Sequence, residues 1–310
     1  MTNPALHARF THALDALVAD IREDRSILAA LLCGSLSHDA VWEHSDIDLV
    51  LVTIDDKKVD RASVSLNADG LNVHAMLLPR ADFRKLAEGS VRNSFMHSLL
   101  AKGRLLYTHD ESIQQMCSGL RDIGARDSLV QVFQAATTVL PSLYKAHKFF
   151  KTRGDLHYTS LWILYTATPI AQVEVMRARL IADREVIPQA MKLNPELFRV
   201  IYTGMLDGER THEQVADALA VIDAYMAERA SDLFAPLLDY LRETGEARSV
   251  SELDAHFARH FGVDHASMAC EYLADRGLLA KVSITRQLTR RSNVSVQELA
   301  FVHLGAPSHA

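Results

Sequence analysis

Apolar positions in the first 120 residues switch between two periods. Leu6, Phe10, Leu14, Leu17, Val18 and Ile21 recur at helical spacing behind Asn3-Pro4, a cap followed by a first-turn proline. The run ILAALLC (27–33) is continuous and short, as a buried strand should be, and it stops at Gly34-Ser35. DIDLVLVT (46–53) alternates acids with aliphatics and then becomes wholly apolar. LNVHAMLLP (71–79), entered through a turn at Asn67-Ala68-Asp69-Gly70, reads as a third strand. A helix is expected from about Asp82 and a fourth strand at RLLYT, 104–108. The pattern predicts a mixed sheet with helices for residues 1–122.

Residues 123–230 keep one period, that of helices. Leu129, Phe133, Val139, Leu140, Leu143 and Tyr144 open this region, and 156–180 is apolar on almost every side, like a central bundle helix. Pro169 is expected to kink or divide that helix. Residues 231–310 change rhythm again. One helix carries Leu233, Leu237, Leu238 and Leu241 and ends near Thr244-Gly245; others start at Ser251 and cover 265–277. Two β-like stretches, 278–285 and 294–304, flank the basic segment RQLTRRSN. Three short helices and a hairpin predict a winged helix-turn-helix-like domain. The fold class is therefore α+β in three parts: a mixed sheet with helices, an all-helical domain, and a winged-helix-like end.

Composition narrows the function classes. With 48% hydrophobic residues among 310, the chain is rich enough in core formers to exclude a largely disordered protein. A net charge of −6 gives no bulk reason to bind nucleic acid. No apolar run approaches the ~18–20 residues of a membrane span, and the charged N-terminal stretch is unlike a signal peptide. Cys33, Cys117 and Cys270 are odd in number and lack a CxxC, which argues against a disulfide framework and for a cytoplasmic protein.

The chemistry concentrates in LLCGSLSHDAVWEHSDIDLVLVT. Asp46 and Asp48, two apart on a strand, point to one face. Adjacent carboxylates need a positive partner, and hard oxygens suit Mg²⁺ carrying substrate phosphates. Gly34-Ser35 supplies a tight turn with backbone N–H groups and a hydroxyl. This arrangement resembles the nucleotidyltransferase superfamily of the polymerase-β type: Cys33-Gly34-Ser35 and Asp46-Ile47-Asp48-Leu49 match its signature residue by residue. The helical region is similar to that of kanamycin-type nucleotidyltransferases, and HKFFKTRGDLHYTSLWIL looks like the helical domain of bacterial nucleotidyltransferase-like proteins.

The resemblance implies that Gly34 and Ser35 hold a nucleoside triphosphate and that Asp46 and Asp48 bind Mg²⁺, with Mn²⁺ as a substitute. The reaction implied is transfer of a nucleoside monophosphate to a hydroxyl acceptor. Active members carry a third carboxylate on the next strand; here that place falls on His74. Three readings stay open for His74: base or metal ligand, mark of a nucleotide binder without efficient transfer, or ordinary surface residue. The non-catalytic alternative is a regulatory protein using its C-terminal region for protein or DNA contact. Lys145 and Lys148 are candidates to meet the triphosphate. Tyr158, Trp162 and Tyr165 are expected mainly in the core. Acids outnumber Lys and Arg across 231–280, so DNA binding is disfavoured there; only the hairpin tip is basic, with Arg286, Arg290 and Arg291, and a homodimer is an alternative use of this region.

Overall fold

The computed structural model describes residues 3–55, 63–88, 95–120, 125–183, 185–289, 291 and 293–305. The chain forms two compact units, Met1–Asp127 and Ser128–Ala310.

The first unit is built on a five-stranded sheet. α1 (Pro4–Arg22) starts as its sequence predicts: the Asn3 side chain accepts from the backbone N–H groups of Ala5 and Leu6, and Pro4 occupies the first turn. β1 (Ile27–Cys33) leads through a short turn to β2 (Ile47–Thr53), then β3 (Ser63–Ala68) and β4 (Leu71–Pro79). α2 (Arg80–Glu88), α3 (Phe95–Lys102), β5 (Arg104–Thr108) and α4 (Glu111–Gly119) complete it. The strand order is β3-β4-β2-β1-β5, with β2 and β4 parallel and every other pair antiparallel.

Strand alternation divides the side chains between two layers. Leu32, Ile47, Leu49, Val73 and Ala75 face Phe10, Leu14 and Val18 of α1 in one core. Leu31, Val50 and Val52 are buried on the other side of the sheet, where α2, α3 and α4 contribute the buried Phe83, Leu100 and Ile113.

Two features depart from the sequence reading. β3 is an additional strand, and it absorbs Asn67 and Ala68, so the turn contracts to Asp69-Gly70. Both turn residues have positive φ, +49° and +74°, the two-residue hairpin geometry that matches strand twist. The helix expected from Asp82 begins at Arg80, and α3 and α4 add helices between strands.

The second unit opens with two long helices, α5 (Ala125–Arg153) and α6 (Leu156–Arg177). Asp155 caps α6 by accepting from the Tyr158 N–H at 2.9 Å. α6 is undivided at Pro169. The proline lacks the N–H that would bond the Tyr165 carbonyl, yet the helix continues on both sides of it. α7 (Val186–Leu193), α8 (Pro195–Phe198), a π-helical turn at Arg199–Thr203, α9 (Gly204–Asp207), α10 (His212–Glu228) and α11 (Ala230–Leu233) follow. Then come α12 (Ala235–Thr244), β6 (Arg248–Ser249), α13 (Val250–Phe261), α14 (Ala266–Ala274) and the hairpin β7 (Leu279–Gln287)–β8 (Ser295–His303). β8 lies between β6 and β7 in a small antiparallel sheet. α13 starts with a reciprocal capping box between Ser249 and Glu252. One apolar cluster runs from Val132 and Phe133 through Ile222 and Leu237 to Phe257, Leu273 and Phe301. Phe133 sits at its aromatic centre, edge-on to Phe234, Phe257 and Phe261.

Phe10 is fully buried between α1 and the sheet. Phe10→Ala is expected to destabilise the first unit by about 3–5 kcal/mol, read as an earlier urea transition of a probe in residues 1–127.

Candidate functional site

β1 delivers the chain to Gly34, whose backbone (φ +67°, ψ −156°) lies where a side chain is strained. Space imposes the same choice. A Cβ at position 34 would stand 2.0 Å from Asp48 Oδ2 and 2.9 Å from its Cγ. The carboxylate occupies the volume that any other residue would need. Beyond Gly34 the chain makes one 3-10 turn, Ser35–His38. The Gly34 carbonyl accepts from both the N–H and the hydroxyl of Ser37, at 3.2 and 2.7 Å, and Ala40 N–H returns to the Ser35 carbonyl at 3.0 Å. Asp39, in the left-handed region, pairs with His7 of α1 at 2.9 Å and ties the turn to the helix. Trp42 and Ser45 then close a small turn, Ser45 N–H donating to the Trp42 carbonyl and Trp42 N–H to Ser45 Oγ, each at 3.0 Å.

That turn ends directly before Asp46 and β2. Ile47 is fully buried against α1, so Asp46 and Asp48 project to the opposite face. The ladders fix their neighbours: Asp48 pairs with Cys33 on β1 and with His74 on β4. His74 Nδ1 lies 3.9 Å from Asp46 Oδ2, too far for a strong hydrogen bond, with both side chains about half exposed. The other ring nitrogen, Nε2, accepts from the Asn72 side-chain amide at 2.9 Å. In this arrangement Nδ1 carries the proton and points it toward Asp46. Gly34, Ser35, Asp46, Asp48 and His74 thus gather at one end of β1, β2 and β4.

Two neighbours take their places from strand pairing and packing that the local sequence does not show. Cys33 is buried beside Asp48, and burial first, the Asp48 charge second, push its thiol up to about 12. It is a neutral neighbour at physiological pH. Gly103 is the second: a Cβ there would meet Cys33 Sγ and the Leu32 carbonyl, each at 3.2 Å. β3 also flanks the site face, with Ser65 opposite His74 and Asn67 opposite Asn72. Its polar–apolar alternation, SVSLN, was the available signal.

The donor set suits a hard divalent cation. Two carboxylates on one face, beside an open loop, leave the remaining positions to phosphate oxygens and water, as Mg²⁺ prefers. Among the described residues no group of three His, Cys, Asp or Glu side chains forms a metal cage.

Lys145 and Lys148 belong to the second unit. Lys145 Nζ lies 4.2 Å from the centre of the Trp162 ring, a cation–π contact, while Lys148 is exposed. Tyr158 and Tyr165 are exposed, contrary to the expected core packing, and only Trp162 is half-buried. Around those rings the buried face of α6 includes instead Thr159, Ser160, Ile163, Thr166, Ala167 and Ile170. Small and β-branched residues let neighbouring helices approach there, leaving the rings outside.

Two cations of the C-terminal hairpin, Lys281 and Arg286, are engaged within the chain. Lys281 contacts Glu271 and lies 3.2 Å from Asp275; Arg286 reaches Glu252 at 2.7 Å and Glu298 at 3.0 Å. Arg291 is exposed, and Arg290 lies outside the described residues. No helix of the described chain is long and apolar enough to cross a membrane.

Residues 17–112 match the family described as polymerase beta, nucleotidyltransferase. The fold is similar to the crystal structure of a nucleotidyltransferase-like protein from Exiguobacterium sibiricum 255-15. The TM-score is 0.65 at 13% identity, covering 94% of this chain and 99% of that one. No curated protein matches the sequence. The matched span contains the Gly34-Ser35 turn, both aspartates and His74, so over residues 17–112 the chain is similar to nucleotidyltransferase domains of the polymerase-β type.

Proposed function

We propose that the first unit binds a nucleoside triphosphate with Mg²⁺ and transfers its nucleoside monophosphate to a hydroxyl acceptor. The observation that carries this reading is the fit of Asp48 into the space beside Gly34, which sets a bare backbone turn against a carboxylate pair. Gly34 and Ser35 offer N–H groups and a hydroxyl to the phosphates. Asp46 and Asp48 hold Mg²⁺, or Mn²⁺ in its place. Bound there, the metal would polarise the phosphoryl oxygens and offset the charge that develops on pyrophosphate. The acceptor oxygen forms a bond to the α-phosphorus as the bond to the bridging oxygen breaks. Pyrophosphate leaves with the electron pair, and the acceptor proton passes to a base.

His74 favours a second reading. As Asn72 holds it, Nε2 has its lone pair engaged and Nδ1 carries a proton, so the ring must release Asn72 to accept another. A chain that binds nucleotide with little turnover would act as a regulator through its winged-helix-like C-terminal region. The internal pairing of Lys281 and Arg286 favours a protein partner there over DNA, because phosphate neutralisation needs available cations.

Incubation with labelled ATP, CTP, GTP and UTP plus Mg²⁺ or Mn²⁺, following both binding and pyrophosphate, tests both readings. Metal-dependent binding and pyrophosphate release, both falling to background in Asp46→Asn and Asp48→Asn, are expected of the transferase. Binding without release, with turnover appearing in His74→Asp, would select the regulator. A wild-type chain with no metal-dependent nucleotide binding would reject both. Gly34→Val is expected to weaken nucleotide binding by at least about tenfold, or about 1.4 kcal/mol, because its side chain and the Asp48 carboxylate compete for one volume; an unchanged circular dichroism spectrum would show that the fold persists.

A further inference from the structure

A recess of about 520 Å³ lies wholly within the second unit. Its polar lining comes from Tyr144, His147 and Lys151 on α5, Asp223 on α10, and Arg276 just beyond α14. Positions 144, 147 and 151 share one face of α5 by helical spacing, whereas Lys145 is spent on Trp162.

Each group has a defined state. The Arg276 guanidinium lies over the Tyr272 ring, 3.4 Å from its centre, and Nη1 donates to the Tyr272 carbonyl at 3.1 Å. The fork is thereby immobilised with Nη2 and Nε still able to donate. Lys151 is exposed and makes no ion pair among the described residues. His147 Nε2 donates to Asp223, 2.9 Å from Oδ2 and 3.1 Å from Oδ1. That carboxylate keeps acceptor capacity for further donors. Burial, then the neighbouring Asp275 charge, raise the Tyr144 phenol above its usual range, so it keeps its proton and can donate.

We propose that this recess binds a sugar phosphate, free or as part of a mononucleotide, with Lys151 and Arg276 on the phosphate and Asp223 on the sugar hydroxyls. The two cations provide charge and several donors for the terminal oxygens of a phosphomonoester. A carboxylate in the same recess works against a second anionic group and for a polyhydroxylated body. Tyr144 adds a phenolic donor and an apolar ring wall. The inference is independent of the nucleotide site, because every lining residue lies in the second unit.

Isothermal titration of the full chain carrying Asp46→Asn and Asp48→Asn isolates this recess from the first unit's aspartates. The probes are inorganic phosphate, ribose 5-phosphate, AMP and, as a control, ribose. Saturable binding of ribose 5-phosphate or AMP, tighter than inorganic phosphate and weakened about tenfold or more by Lys151→Ala, is the expected result. Asp223→Asn should weaken ribose 5-phosphate more than inorganic phosphate. Absence of saturable binding for every phosphate probe would overturn the proposal, as would affinities unchanged in both Lys151→Ala and Arg276→Ala. Ribose 5-phosphate binding no tighter than inorganic phosphate would remove the sugar from it. Lys151 is exposed, so its variant reports on the ligand even if Arg276→Ala disturbs the packing on Tyr272.

Discussion

The volume beside Gly34 has one tenant, the Asp48 carboxylate, and that exclusion organises the first unit's site. It operates because the β1–β2 ladder places Cys33 opposite Asp48 and the β2–β4 ladder places His74 on the other side. A slip of one residue along β2 would turn both acids toward Phe10 and Leu14 of α1 and bring Ile47 to the surface. Burial of the aliphatic face therefore enforces the position of the acidic one. The chemistry at the end of the sheet rests on hydrophobic register, since the approach of His74 Nδ1 to Asp46 is long, at 3.9 Å, and half-exposed.

Much of this was legible because it rests on period and spacing. The continuous run 27–33, the alternation at 46–53 and the run 71–79 mark three adjacent strands, and Asp-x-Asp followed from the two-residue repeat. β3 was harder to read. Its residues alternate, but with Ser and Asn at every second place it has little apolar weight, and Asn67 resembles a turn former. The Cys33–Asp48 neighbourhood could not be found from local sequence, because it depends on pairing between strands thirteen residues apart. Likewise, ring size suggested that Tyr158 and Tyr165 were core residues, whereas close helix approach at Thr159, Ile163 and Ala167 placed them outside.

The second unit shows how identical residue types acquire different uses from their angle around one helix. Lys145 lies against Trp162, and Lys151, six positions on, opens into the recess with His147 and Tyr144. Polar joints hold its helices in register as well: Glu174 accepts from the Tyr225 hydroxyl at 2.7 Å and from the Asn194 amide at 3.0 Å, linking α6, α10 and the start of α8. Burial and the nearby carboxylate raise the Tyr225 phenol well above its ordinary range, so this joint keeps its donor at physiological pH.

The connection between the Gly34-Ser35 turn and Asp46 is anchored separately at its two ends, by Asp39 on His7 and by the Trp42–Ser45 turn, while the two-residue spacing of Asp46 and Asp48 at the start of β2 sets their separation. Its length and composition are thus decoupled from the spacing of the two acids. Trp42, 58% exposed and edge-on to His44, sits in this decoupled stretch. Insertion or replacement within such a segment leaves the separation of the two acids unchanged.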